Sequence, residues 1–427
     1  MEIPFYIMIP FVVMLLSIAI VPLFAEEWWE SNTHKLWVSL ALGIPVATWL
    51  IAVGESDDLI HQMIFDYVPF ILLLMALFVV TGGIHVAGNI QARPSINLLF
   101  LGIGWILASL MGTTGAAMLL IRPLLSTNSE RKYKAHTVIF FIFVVANAGG
   151  LLTPLGDPPL FLLFQKGAEF TWFLHLLPQW LTVGVILLTI YYLLDKHYYA
   201  KEDQEAIAQD ETNVEPLRFT GLINIVWLLC IVMATMFING KYIPAMNEED
   251  AAWYIKLLRE FVFVGIIIAS MLTTKKQVRI DNKYSWAPII EVAVLFIGIF
   301  ATMTPALMYL EEASFRIHLP WQYFYSTGGL SAFLDNAPTA LVFHAMAHGI
   351  PSAGGLVAGV DETLLEAISC GAVFFGAMTY IGNGPNFMVK AIAEQSGTKM
   401  PSFFHYIIKY SLIYLLPTYV IVQLIFF

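Results

Sequence analysis

Residues 153–161 read T153-P-L-G-D-P-P-L-F161 and follow directly on the run VIFFIFVVANAGGLL (138–152). The run has the character of a membrane helix. Three prolines, a glycine and an aspartate in the next nine residues do not suit a bilayer interior. Either a helix ends here at a surface, or a helix is broken on purpose at membrane depth. The two alternatives give different folds.

Composition bounds the choice. The chain has 427 residues, of which 59% are hydrophobic and 12% charged, with a mean hydropathy of +0.75. A soluble domain carries about a quarter charged residues, so most of this chain faces lipid or other apolar helices. A net charge of −10 and the absence of a basic cluster exclude a nucleic-acid-binding surface. Two cysteines, Cys230 and Cys370, exclude a disulfide framework or a cysteine-rich metal site on count alone. The N-terminal stretch MEIPFYIMIPFVVMLLSIAIVPLF lacks the basic start of a signal peptide and reads as a retained span.

Apolar stretches long enough to cross a bilayer fall near 4–24, 35–54, 68–91, 137–164, 172–195, 219–238, 258–274, 286–308, 364–393 and 403–426. Two more, 95–125 and 326–350, are interrupted by small and polar residues. With both termini on the external face, 13 Lys and Arg fall inside (Lys35, Arg93, Arg131, Lys132, Lys134, Lys196, Lys201, Arg218, Lys275, Lys276, Arg279, Lys283, Lys399). Five fall outside: Lys166, Lys241, Lys256, Arg259 and Arg316. The external loops are instead acidic, as in ESDD (55–58), NEED (247–250) and EE (311–312). This asymmetry sets the orientation expected of a multi-pass protein of the cell's inner (plasma) membrane. Because 95–125 has basic flanks at both ends, it must enter and leave on the cytoplasmic side, as a re-entrant hairpin. By the same count 326–350 enters and leaves on the outer side.

Each half therefore holds five spans and one hairpin: 1–200 with hairpin 95–125 and broken helix 137–164, and 218–427 with hairpin 326–350 and broken helix 364–393. The acidic stretch 201–217 reads as a solvated cytoplasmic linker. If the halves are duplicates, the odd motif should recur, and T379-Y-I-G-N-G-P-N-F387 aligns with it without gaps as T-x-x-G-[DN]-x-P-x-F. The hairpins also match, SLMGTTGAAML (109–119) against SAFLDNAPTAL (331–341). A loop at a helix end has no reason to recur inside the corresponding apolar segment. Inverted repeats whose broken helices meet near the midplane are the mark of secondary transporters. The expected fold is an all-α integral membrane protein built as an inverted repeat.

Such a site has a definite chemistry. Freed carbonyls and half-helix C-termini suit small cations, whereas half-helix N-termini suit anions. Thr113, Thr114, Asn147, Thr153, Asn336, Thr339, Thr379, Asn383 and Asn386 offer neutral oxygen ligands for a hard cation. Glycines 112, 149, 150, 156, 382 and 384 allow close backbone approach.

LDNAPTA at a hairpin tip, with NAGGLLTPLGDPPLF at a broken helix, resembles the ion transporter superfamily, and within it the NhaD-type sodium/proton antiporters and the related citrate-transporter-like group. The similarity is densest over GAAMLLIRPLL…HTVIFFIFVVANAGGLLTPLGDPPLF, and the inverted architecture extends it to nearly the whole chain. The resemblance implies a dimerising scaffold domain and a transport domain that carries both hairpins and moves as an elevator. It also implies sodium sites where each hairpin tip meets its broken helix. One would use Ser109, Thr113, Thr114, Asn147 and Thr153; the other Ser331, Asp335, Asn336, Thr379 and Asn383. The tips Gly112-Thr113-Thr114 and Asp335-Asn336-Ala337 differ from the Ser-Asn-Thr triplet of the superfamily's dicarboxylate carriers.

Asp157 and Asp335 are the acids the motifs place at the midplane, where an ionised carboxylate needs a partner or a cation. They are the expected proton-coupling residues, though an aspartate before Pro-Pro or Asn-Ala-Pro is also a good helix cap. Glu291 is a second-rank proton-entry residue or a helix-start acid. His344 and His348 either sense pH or pack, and His85 and His136 carry less weight. Arg122 either meets an anion or Asp157, or snorkels to the cytoplasmic face. Trp28, Trp29, Trp172, Trp180, Trp253, Trp286 and Trp321 read as an interfacial belt. The expected function is sodium (or lithium)/proton antiport, with membrane lipids, sodium ions, protons and a second copy of the chain as partners. The alternative is a sodium-coupled carrier of an anion such as citrate or arsenite. No nucleophile–base set or cofactor loop argues for an enzyme, and no cofactor is expected.

Overall fold

The computed structural model describes residues 4–248, 251–312, 317–352 and 355–427, so Arg316 and the end of the NEED stretch lie outside the described residues. It is almost entirely helical, with two short two-stranded ribbons. Eight of the described helices are long and apolar enough to cross a membrane: Phe5–Pro22, Asn32–Val53, Ser56–Thr81, Pro94–Met111, Ala135–Leu152, Phe170–Tyr199, Ala287–Glu311 and Phe403–Phe426. Ile223–Phe237 and Leu258–Thr273, expected as full spans, have 15 and 16 residues. At 1.5 Å per residue each is about 23 Å long, short of a hydrocarbon core of about 30 Å.

The third span lies earlier than expected. Its helix runs over Ser56–Thr81 through a π-helical turn at Gln62–Tyr67, rather than over 68–91. Gln62 and Asp66 look too polar for lipid, but both are buried in protein, and Asp66 pairs with Lys166 at 3.0 Å. Beyond Gly82 the chain instead forms the strand His85–Asn89, which pairs antiparallel with Glu215–Thr220. The stretch 201–217 is likewise not bare linker. It folds into the helix Gln204–Thr212 and the start of that second strand, and buried Asp210 accepts the Ala92 N–H at 2.9 Å.

The two hairpins form as helix pairs. Pro94–Met111 and Thr113–Thr127 reverse at Gly112, whose φ of +81° is open to glycine and strained for other residues. Asn97 and Asn128 exchange side-chain amides at 2.8 and 2.9 Å, which holds the two ends of this hairpin side by side. Pro320–Ser331 and Asn336–Ala347 form the second hairpin, and Asp335 caps the second arm by accepting the Ala337 N–H at 3.0 Å.

Both broken helices are present. Ala135–Val144 gives way to a 3-10 turn at Ala148–Leu152 and resumes as Pro158–Gln165. Glu362–Phe375 gives way to Gly376–Met378 and resumes as Gly384–Gln395. Matching glycines let each break fold back on itself: a Cβ on Gly156 would lie 2.0 Å from the Gly150 carbonyl, and one on Gly382 would lie 2.6 Å from that of Gly376.

Several charged and aromatic residues have settled roles away from the breaks. Arg131 pairs with fully buried Asp195 at 2.7 Å, and His136 Nε2 lies 2.8 Å from the same carboxylate. Glu291 pairs with buried Lys35 at 2.7 Å. Trp172 and Trp180, expected at the interface, are buried: Trp172 donates to Glu362 at 2.9 Å, and Trp180 stacks on Trp105 at 3.6 Å. Trp29 is buried too, whereas Trp28, Trp253, Trp286 and Trp321 are exposed.

Candidate ion- and substrate-binding site

The breaks and hairpin tips meet around Asp157. This residue stands at the N-cap of Pro158–Gln165 and is 1% exposed. Its Oδ1 accepts from the Thr113 hydroxyl at 2.8 Å and from the Asn383 amide at 3.1 Å, and its Oδ2 from the Asn336 amide at 2.5 Å. One donor comes from the first hairpin, one from the second hairpin and one from the second break. The carboxylate thus joins both halves of the chain. Hydrogen bonds to a charged group contribute about 1.5–3 kcal/mol each, so three of them offset much of the cost of burying it.

A chain of amides extends from this centre. Asn383 also donates to Asn147 Oδ1 at 3.2 Å, and Asn147 donates to Asn386 Oδ1 at 2.7 Å. Asn386 ends the chain on the Gly376 and Thr379 carbonyls at 2.7 and 2.9 Å. All three asparagines are buried, and each amide orientation is fixed by the next.

The remaining hydroxyls fasten tips to breaks. Ser109 donates to the Gly149 carbonyl and Thr153 to that of Ser109, while Thr113 N–H donates to the Gly156 carbonyl at 2.8 Å. In the second half Thr379 donates to the Ala332 carbonyl at 2.5 Å and Ser331 to that of Ala372 at 2.6 Å. Thr339 donates within its own helix to the Asp335 carbonyl at 2.8 Å. The sequence-derived ligands therefore do not divide into two separate sets, one per half. Ser109, Thr153, Ser331, Thr339 and Thr379 spend their protons on the backbone. Thr113, Thr114, Asp335, Asn336 and Asn383 line a single cavity of about 110 Å³ that stops just short of Asp157.

That cavity has two unlike walls. One is the polar tips and breaks. The other is apolar, built from Phe70, Leu74, Leu77 and Phe78 of the third span and Ile289, Val292 and Phe296 of Ala287–Glu312. Among the described residues no Lys, Arg or His lines it. Among the described residues Arg122 has no hydrogen-bond or ion-pair partner, so it does not neutralise Asp157. His344 is engaged with the Ala358 carbonyl at 2.8 Å, His85 with Asn282 at 2.7 Å, and His348 is exposed.

Helix ends of both kinds reach the cavity. Four are N-termini, those of Thr113–Thr127, Pro158–Gln165, Asn336–Ala347 and Gly384–Gln395, and one is the C-terminus of Pro94–Met111, whose last residue Met111 lines the cavity. Each reversal or break starts a new helix there, while carbonyls of the preceding turns are taken up by Ser109, Thr153, Ser331 and Thr379. Four N-termini at about +0.5 charge each, against one C-terminus at about −0.5, offset most of the charge of Asp157 and Asp335 when both are ionised. The site can hold two buried acids without a basic side chain.

The fold defines a helical membrane protein with paired hairpins and broken helices. The chain matches the family described as "Putative citrate transport" over residues 1–427, and it belongs to that family of membrane transporters. It is also similar to the 46 kDa membrane protein of Mycobacterium leprae (strain TN), 24% identical over 409 residues that cover 86% of this chain and 88% of that protein.

Proposed function

We propose that the protein is a secondary active transporter that exchanges sodium, or lithium, for protons across the plasma membrane. The observation that carries this reading is a cavity with an aspartate on its wall, a second aspartate behind it and no basic residue in its lining. With both acids ionised, the helix ends at the cavity offset most of their charge. Adding one sodium ion or one proton then leaves the site with the same net charge, as an exchanger needs. Asp335, partly exposed to the cavity, and the oxygens of Thr113, Thr114, Asn336 and Asn383 form the cation seat. Asp157 couples that seat to both halves.

The matched motifs and matched glycine contacts support an inverted repeat, and the apolar wall supports an elevator in which tips and breaks slide past it as one body. The charge asymmetry of the loops supports external termini, and the family resemblance a homodimer. In intact cells an impermeant thiol reagent should label Ala245→Cys and leave Tyr133→Cys unlabelled.

A second reading, a sodium-coupled carrier of an anion such as citrate or arsenite, is favoured by the family description and by the four helix N-termini. A tricarboxylate would have to be neutralised there without Lys or Arg, which is why exchange ranks first. Proteoliposomes holding an internal pH dye decide between them. Sodium or lithium added without citrate should move protons opposite to the cation. Labelled citrate or arsenite uptake with no sodium-driven proton flux would replace exchange by anion transport.

A further inference from the structure

The helix that carries Asp157 at its start is tied down at its other end. Pro158–Gln165 has eight residues and spans about 12 Å. At its C-terminus Gln165 Nε2 donates to the Phe65 and Asp66 carbonyls at 3.3 and 3.2 Å, across to the π-helical turn Gln62–Tyr67 of the third span. Lys166, the next residue, pairs with Asp66 Oδ2 at 3.0 Å. From a second element, Leu258–Thr273, the Arg259 guanidinium lies over Phe161 and Phe164 at 5.3 and 5.4 Å. Glu260 holds that guanidinium through Nε and Nη2 at 2.9 and 2.7 Å.

All these contacts join the broken helix to the elements outside the hairpin-and-break group. We propose that Asp66–Lys166, Gln165 and the Arg259 lid over Phe161 and Phe164 form a reversible latch that holds the Asp157 helix in this conformation and must release when the site changes sides.

Three observations favour a latch over a permanent joint. The π-helical turn leaves the Phe65 and Asp66 carbonyls where a side chain from another element can use them, and such turns are an irregularity that recurs at functional positions. The junction borders an open cavity of about 730 Å³ lined by Asp66, Gln165, Phe164, Arg259 and Glu260. Water in that cavity can take over each hydrogen bond as it parts, so release does not strand a dry charge. Finally, Lys166 is 29% exposed while Asp66 is 7% exposed, so the lysine can swing to solvent and leave its partner to water. A cation or proton arriving at Asp157 acts on the opposite end of the same short helix, and this couples occupancy to release.

This inference rests on the alternating-access part of the proposed function but not on which ion is carried, and its test reads conformation only. The reporter is Thr114→Cys on the cavity wall, in a background carrying Cys230→Ser and Cys370→Ala, labelled in membranes by an impermeant thiol reagent from each side. Asp66→Asn and Lys166→Met should each change the labelling rate from at least one side by about threefold or more, a shift expected when a ligand-free equilibrium loses one biasing contact. The exchanged pair Asp66→Lys with Lys166→Asp should return the rate towards that of the parent, which a general loss of folding would not do. Unchanged labelling in both single variants, or a shift that the exchanged pair leaves uncorrected, would overturn the latch. Shifted and restored labelling in a protein without sodium/proton exchange would keep the latch and discard only the exchanged ion.

Discussion

The two breaks share T-x-x-G-[DN]-x-P-x-F and the same fastening, Thr153 on Ser109 and Thr379 on Ala332, yet they end on different chemistry. At the fifth motif position the first carries Asp157 and the second Asn383. The hairpin tips reverse the choice, with Thr113 in the first and Asp335 in the second. The chain thus keeps one acid per half but places them in opposite elements. Asp157 is enclosed by three donors, while Asp335 caps a helix and faces the cavity. A pair of neighbouring acids can share a task only if their surroundings differ, and here one is held behind the cavity wall while the other is open to the cavity.

The sharpest way to break this comparison is to alter the enclosed acid. Asp157→Asn sets an amide N–H₂ against a neighbouring donor such as the Asn336 amide and removes a titrating group, so ion flux in proteoliposomes should fall to background. Asp157→Glu should fail as well, because a longer side chain carries the carboxylate off the Thr113, Asn336 and Asn383 donors that enclose it. Asp335 should behave otherwise. Asp335→Asn keeps the cap, since asparagine caps helices as well as aspartate, so the protein should fold while proton-coupled flux is lost. Asp335→Glu, facing open space, should retain part of the flux with a displaced pH profile. Equal outcomes for the two glutamate variants would erase the distinction.

A smaller effect is expected at Thr113. Thr113→Val removes one hydrogen bond to a buried carboxylate, about 1.5–3 kcal/mol, which corresponds to a loss of roughly tenfold or more in sodium affinity measured by titration. The smallest belongs to the fastenings. Ser331→Ala removes a bond to the Ala372 carbonyl and should lower stability by about 1 kcal/mol, read as a modest drop in melting temperature with flux largely kept.

Much of this was legible in the sequence, for physical reasons. A proline-rich motif repeated inside two apolar segments cannot be two accidental loops, and basic flanks on both sides of 95–125 fix a hairpin. Asp157 and Asp335 stand out because acids are costly where the motifs put them. What stayed hidden depends on tertiary partners. The third span was displaced because Asp66 reads as a loop residue until Lys166 is seen across from it. Trp172 and Trp180 read as belt residues until Glu362 and Trp105 are in view. The division of Ser, Thr and Asn into cavity-lining residues and fasteners was also invisible, since a hydroxyl at a tip carries no mark of whether its proton goes to a carbonyl. Nor does sequence spacing reveal that four helix N-termini and one C-terminus converge on one cavity.

The central claim is that a cation and a proton compete for one acidic site. Purified protein titrated with sodium chloride in buffers of different ionisation enthalpy measures this directly, because calorimetry then reports protons released per ion bound. Sodium binding should release protons, more at lower pH and none in Asp335→Asn. Sodium binding with no proton release at any pH, or release triggered by citrate and not by sodium, would contradict it.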